Sequence, residues 1–448
     1  MTTPDQLHSF AGAPTPIEDG ENVAICAQGE PAKYITGIEY RGPHETVADG
    51  TNRAVRLNAR ALASAGLPLL LTSFAHIVVD ESGICHRVFD VGLPEDVENE
   101  VGPLRRTSIG TVSARILHMV VTSADHLRRS VLPRSYALME LDEVEQLLAT
   151  TVVYSVWERD RIDREIVEIM NRCGQQWVPC EQNKQMLVDS GVIESKVKVV
   201  PHPFDPESKI AKLTKRPAGY RPPDGATKRF YSIGHWQPRK GYHELIGAFL
   251  QAYGPNDDAT LTLKINGHSW PDYPNPEESV SQWLQDSAVK RNGWDSASLD
   301  KRVTLIRKRI SEDQIVKLHF ENNIYVSASR GEAWNLGAWD AKIAGNVMVH
   351  VPYGGTADFE DMSRDLIVPY HMAPVHSSYR WEPGAQWADF DQQDLVEALR
   401  DAQPAPFVRT DKFNRFTIES VGKEMRANLL NMLELTFPQA WEYLNAQR

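Results

Sequence analysis

The sequence predicts an α/β protein of two Rossmann-like, doubly wound domains that face a central cleft. Three observations carry this. Short apolar runs alternate with helical patterns along most of the chain, as in a mostly parallel sheet flanked by helices. The alternation lapses over residues 206–227, a Pro- and Lys-rich stretch without periodicity, and then begins again. At 448 residues the chain also exceeds the roughly 250–300 at which single cores stop growing. The boundaries read as a mobile tail (1–22), a first domain (23–205), a linker (206–227), a second domain (228–415) and closing helices (416–448) that turn back towards the first domain.

The elements follow in order. Tyr34 to Tyr40 reads as a strand, and Asn52 to Ala65 as a helix with Ala54, Val55, Leu57, Ala61 and Leu62 on its apolar face. Gly66 ends that helix, and Leu67 to Leu71 starts a second strand. The acidic stretch Glu95, Asp96, Glu98, Glu100 reads as a solvated loop or helix face. Strands are expected at Ile116 to Val121, Thr151 to Val156, Gln176 to Pro179 and Lys196 to Val200. Helices are expected at Asp163 to Cys173 and Gln182 to Ser190. In the second series, strands are expected at Arg229 to Ile233, Thr260 to Ile265, Arg302 to Ile306, Ile324 to Val326, Val347 to Val351 and Asp365 to Pro369. Helices are expected at Tyr242 to Tyr253, Glu277 to Lys290, Glu312 to Phe320 and Asp394 to Asp401, with one or two more from Phe416 on.

Composition narrows the function. A net charge of −12 lacks the large basic footprint of a general nucleic-acid or anionic-membrane binder. The four cysteines lack metal-ligand spacing and suit a reduced, cytoplasmic setting. No Lys or Arg precedes Lys33, so a secretory n-region is not expected. The longest apolar stretch, Leu67 to Val79, is interrupted by Pro68, Thr72, Ser73 and His76, and stable membrane insertion is not expected.

The richest stretch runs from Asn322 to Phe359. It reads strand, small-residue loop, helix, strand. The loop lies at the carboxyl end of a strand, where open α/β sheets bind ligands. A helix opening at Asn335, Leu336 and Gly337 offers free N–H groups to a phosphate. Glu332 stands just before it. Asp340 lies eight residues further on, about two turns along. The two acids are placed to hold hydroxyls on either side of a bound diphosphate, or else are two solvated acids of an ordinary βαβ unit.

This spacing resembles the E-x7-E motif of family-4 retaining GT-B glycosyltransferases, with Asp340 in place of the second Glu. Other stretches resemble the same family in the expected order. Trp177-Val-Pro-Cys180 resembles its "WVPS" strand end, and Val199 to Asp205 its "IPHGVD" segment. Ser232 to Gly241 resembles its "GR…KG" loop, and Tyr353-Gly-Gly355 its "YGG" turn. Lys240 matches the diphosphate-binding Lys. His235 occupies the usual Arg position, and Arg239 is the candidate substitute. The resemblance implies a GT-B architecture and a retaining hexosyltransferase. It implies a nucleotide-diphosphate sugar as co-substrate, UDP favoured over GDP, and no required cofactor or metal. It implies Glu332, Lys240 and His126 as catalytic residues. The implied donor-binding residues are His235, Arg239, Lys240, Arg330, Glu332, Asn335, Leu336, Gly337 and Asp340. On the acceptor side it implies Gly50, Arg53 and Arg56, from the loop leading into the first helix, and Glu158 from a "WE" segment, where Glu158 either contacts acceptor hydroxyls or forms a loop ion pair.

For the histidine, His126 is preferred to His118, because it lies beyond the strand end. The rival readings are a catalytically silent GT-B binding protein, a nucleotide-sugar epimerase or a phosphorylase. The acceptor stays open: a glycan, a lipid-linked sugar, a small molecule, a protein or a modified nucleobase, so nucleic acid enters only as an acceptor. One local sign reversal bears on it. Arg105, Arg106, Arg115, Arg128, Arg129 and Arg134 face a single acid, Asp125, between Gly102 and Ser135. They either meet an anionic acceptor or pair with the acidic runs at Glu95–Glu100 and Glu140–Glu145.

Overall fold

The computed structural model describes residues 36–44, 50–73, 76–79, 85–88, 95–105, 111–132, 137–213, 227–267, 270, 272–375, 384–404, 411–436 and 438–446. The expected tail, most of the linker (214–226), Arg106 and Arg134 lie outside these residues.

Two six-stranded sheets organise the chain, and every pairing within them is parallel. The N-terminal sheet holds β1 (Thr36–Arg41), β2 (Leu69–Thr72), β3 (Thr111–Met119), β4 (Thr151–Ser155), β5 (Gln175–Val178) and β6 (Val197–Val199). Their spatial order is β2-β1-β3-β4-β5-β6. The C-terminal sheet holds β7 (Lys228–His235), β8 (Ala259–Asn266), β9 (Val303–Ile306), β10 (Ile324–Ser327), β11 (Val347–His350) and β12 (Leu366–Ile367). Their order is β9-β8-β7-β10-β11-β12. The chain reverses direction across the sheet between β1 and β3 in the first half, and between β7 and β10 in the second. Open α/β sheets bind ligands at such switch points. The α/β class with two doubly wound halves is the one the sequence predicts.

The strands are central for a chemical reason. All residues of β4, β10 and β11 are buried, which matches their apolar runs and suits strands covered on both faces. Helix α1 (Gly50–Ser64) lays Val55, Ala59, Ala61 and Leu62 on the N-terminal sheet. Helix α5 (Ile418–Thr436) packs on α1 and adds Val421, Met425, Leu429 and Leu433 to the same core. An aromatic cluster forms the seam between the halves: Phe204, Trp334, Trp339, Phe359, Phe413 and Phe416. The Trp339 and Phe416 rings stand 5.0 Å apart.

The structure departs from expectation in several elements. The helix expected at Glu277 to Lys290 is two, Pro276–Gln285 and Ser287–Arg291. The Asp286 carboxylate breaks it by accepting from the N–H groups of Ala288 (2.9 Å) and Val289 (3.1 Å). The acidic stretch at 95–100 takes the helical one of its two expected forms, as the start of a helix, Glu95–Arg105. There Glu100 pairs with Arg56 (2.7 Å) and Arg60 (3.1 Å), so it is not simply solvated. Leu141–Ala149 is a further helix that the acid run concealed; Glu140 and Glu143 cap it. Among the described residues, no helix is long and apolar enough to cross a membrane.

Candidate active site

The loops after β7 and β10 meet at the C-terminal switch point. After β7, Pro238–Lys240 makes one 3-10 turn, and Gly241 adopts φ +63° before helix α3 (Tyr242–Ala252). An added Cβ there would lie 2.2 Å from the Ala328 carbonyl, so only glycine fits. After β10 the chain runs through Ser329, Arg330 and Glu332 to Asn335, which opens helix α4 (Leu336–Ile343). Asn335 is the one non-glycine with positive φ (67°) among the described residues. Its Oδ1 accepts from Ala338 N–H (3.1 Å) and its Nδ2 donates to Ser327 Oγ (2.9 Å). The strained turn thus caps α4 and ties it to β10. The N–H groups of Leu336 and Gly337 have no partner inside the helix, and both residues are only half-buried.

Four charges gather before this helix mouth. Glu332 is 5% exposed. Lys240 Nζ donates to its Oε1, and Arg239 Nη1 approaches its Oε2 at 3.3 Å. Arg239 also donates to the Gly331 carbonyl. From the other half, Glu158 Oε1 accepts from Arg239 Nη2 at 2.7 Å. Burial pushes the Glu332 carboxyl up, but the Lys240 and Arg239 charges outweigh it and hold the group below its ordinary range. Burial lowers Lys240, and Glu332 opposes that shift. Burial raises Glu158, more than Arg239 lowers it. The cluster holds an ionised carboxylate and two cations beside free backbone donors, the arrangement that stabilises negative charge developing on a leaving group.

Asp340, inside α4, is 5% exposed. It does not face solvent. Arg53, in the first turns of α1, grips both its oxygens: Nη2 donates to Oδ1 at 2.8 Å and Nη1 donates to Oδ2.

The other candidates are placed as follows. Gly50 begins α1 and faces the Leu336 side chain. Arg56 points into the N-terminal half, where it pairs with Glu100 (2.7 Å) and donates to the His44 carbonyl (3.0 Å). Arg330 is 8% exposed and is held by Asp389 (2.8 Å), Glu244 (2.8 Å) and the Pro238 carbonyl (2.8 Å). His235 ends β7 and is exposed. His126 lies in the first turn of helix α2 (Ala124–Val131), with Nδ1 3.0 Å from Thr122 Oγ1. Among the described residues, no hydrogen bond or ion pair joins it to the C-terminal half. His118 is fully buried, bonded to Tyr40 Oη (2.8 Å) and stacked on Tyr154 at 4.2 Å.

Sequence reasoning left two features unlocated. It gave Glu158 either an acceptor contact or a loop ion pair, without a partner; the structure shows an ion pair with Arg239 of the other half, and two side chains 81 positions apart carry no periodic signal. It also missed a cavity of about 360 Å³ at the ends of β7, β8 and β9, lined by Trp236, Asn266, Asn275, Arg307 and Lys308. The basic run Arg307-Lys308-Arg309 after β9 was the available signal. Among the described residues, no group of three or more His, Cys, Asp or Glu stands as a metal site.

No family model matches the chain, and no curated protein matches it. Solved structures do. Anabaena HepE in complex with UDP-glucose aligns with a TM-score of 0.54 at 13% identity, over 88% of this chain and 100% of that one. HepE with UDP gives 0.52 at 14% identity, over 88% and 100%. The apo form of the lipopolysaccharide outer core galactosyltransferase WaaB gives 0.51 at 12% identity, over 89% and 99%. At these identities the likeness establishes the architecture: the chain has the α/β GT-B fold of these glycosyltransferases, with two parallel six-stranded sheets.

Proposed function

We propose that this protein is a retaining glycosyltransferase of the family-4 kind, moving a hexose from a nucleotide-diphosphate sugar to a hydroxyl acceptor. One observation carries the reading: Lys240, Arg239 and Glu332 converge at the half-buried N–H groups that open α4. In this reading the diphosphate lies between Lys240 and the Leu336–Gly337 amides. Their fixed dipoles and the ammonium take up the charge that grows on the leaving group. Glu332 holds a hydroxyl of the donor sugar, and Asp340 the ribose. The cavity at the ends of β7 to β9, with its Asn and Arg donors, suits the base and is within the size range of small-ligand sites. The shared fold supports UDP as the nucleotide, since HepE is solved with UDP and with UDP-glucose. The acceptor enters from the N-terminal half, where His126 and the arginine cluster stand. The leaving diphosphate itself takes the acceptor proton on the same face, which retains configuration.

A second reading, a GT-B protein that binds without turnover, draws on the Arg53 grip on Asp340. Incubation with a panel of UDP- and GDP-sugars separates the two. Slow release of free sugar and nucleoside diphosphate is expected from a transferase lacking its acceptor. Binding without release marks the silent protein, and absence of binding removes both.

A further inference from the structure

Two ion pairs cross from the N-terminal half onto the groups that the donor is expected to use. Arg53, near the start of α1, closes both nitrogens on Asp340. Glu158, in the loop after β4, closes on Arg239 at 2.7 Å. These points leave the N-terminal sheet after β1 and after β4, and they reach the C-terminal sheet at α4 and after β7. Both flanks of the diphosphate position are therefore bridged. The backbones follow the side chains: an added Cβ on Gly331 would lie 2.5 Å from the Glu158 carbonyl. The same loop continues to Asp160, whose Oδ1 accepts from Gln386 N–H at 2.7 Å.

We propose that Arg53 and Glu158 form a clasp that imitates the donor and holds the cleft shut until a nucleoside diphosphate displaces it. The chemistry is matched on each side. Glu158 lays an anion on the cation that would otherwise meet phosphate. Arg53 covers, with donors, the carboxylate that would otherwise accept from ribose hydroxyls. This inference rests on the donor site described above. Because both residues belong to the half built on one sheet, opening breaks both pairs together. The aromatic seam of Phe204, Trp339 and Phe416 lies where the chain crosses between halves, and it stays packed as the pivot. The contacts that must open are polar, so water satisfies each freed charge, whereas opening the seam would expose apolar surface. A ligand that binds only the open form loses apparent affinity in proportion to how rarely that form is populated. The clasp therefore makes donor binding weaker, and its removal makes it tighter.

The test is calorimetric titration of UDP into the full chain, as wild type, Arg53→Gln, Glu158→Gln and the double variant, with small-angle scattering of each without nucleotide. Each single variant should bind UDP tighter by roughly fivefold or more, and the double variant tightest. The nucleotide-free double variant should have the larger radius of gyration. Arg53→Lys keeps the charge but loses the two-pronged grip, and should fall between wild type and Arg53→Gln. Unchanged or weaker UDP binding by Arg53→Gln, with wild type still binding, overturns the clasp and makes Arg53 a donor contact or a bystander. Failure of wild type and every variant to bind UDP overturns the donor site beneath it instead.

Discussion

Lys240 and Glu332, 92 positions apart in sequence, form a direct ion pair in the cleft, and Arg239 approaches the same carboxylate at 3.3 Å. A carboxylate held ionised by two cations, one turn of chain before a helix with unpartnered N–H groups, is a costly thing to bury. Its position at the switch point between β7 and β10 gives the cost a purpose under the proposed function: the cations stand beside a helix end whose free N–H groups suit an anion.

Lys240→Ala should therefore weaken UDP far more than uridine, because of the two ligands only UDP carries the phosphates that the lost charge would meet. We expect a loss of about tenfold or more for UDP and under twofold for uridine, by calorimetry. Equal losses for the two ligands would put Lys240 away from the diphosphate.

The aromatic seam should behave as a core. Trp339 is 1% exposed and packs against Phe204, Phe359, Phe413 and Phe416. Trp339→Ala should cost about 3–5 kcal/mol in a denaturant titration followed by circular dichroism. A cost below about 1 kcal/mol would mean that the halves are held elsewhere.

Asp358 supplies a pH test. Burial pushes its carboxyl up from the ordinary 3.8 to about 6, although it accepts from Glu181 N–H at 3.1 Å. A raised folded-state value favours the protonated acid in the fold. The resulting stability is complete below the unfolded value and is lost as pH rises through 6. Asp358→Asn can still accept from Glu181 and carries no charge. It should melt higher than wild type at pH 8, by about 2 kcal/mol after allowing for contact with water, and match it near pH 4. Thermal melts across that range check this; a constant difference at all pH values would place the effect in packing.

The arginine cluster of the N-terminal half is partly used internally. Arg105 approaches Glu98 at 3.6 Å, Arg115 approaches Glu39 at 3.3 Å, and Arg128 meets Asp125 at 2.9 Å. Arg128 and Arg129 are nevertheless exposed on α2, the helix that carries His126. If the acceptor is anionic, Arg128→Glu with Arg129→Glu should raise the acceptor KM and flatten its salt dependence, leaving donor hydrolysis intact. Wild-type acceptor transfer by the double variant at low salt would make the cluster structural and the acceptor neutral.

Much of this architecture is legible in the sequence because parallel strands buried on both faces leave unbroken apolar runs. Ile324–Ser327 and Val347–His350 are such strands, and between them Glu332 lies in the loop and Asp340 in α4. Local chemistry is legible where it depends on neighbours: the helix expected to open at Asn335 to Gly337 does open there. What escapes is set by contacts between distant segments. Nothing near Asp340 announces Arg53, and nothing near Arg239 announces Glu158. Arg56 and Arg53 stand one turn apart on α1, yet one enters the N-terminal core and the other crosses the cleft. The pattern of one helix cannot tell which neighbour each face will meet. Side-chain caps such as Asp286, which splits a helical run in two, are hidden for the opposite reason: the competing hydrogen bonds are local but do not alter hydrophobic periodicity.

The most direct measurement is release of UDP from UDP-glucose, with the other nucleotide sugars of the panel in parallel, by wild type and Glu332→Ala. Removing a polar contact to a charged transition state costs a few kcal/mol, so turnover in Glu332→Ala should fall by about 10²–10³. Near-wild-type release by Glu332→Ala, or no release from any donor by wild type, would contradict the assignment of this cleft as a sugar-transfer site.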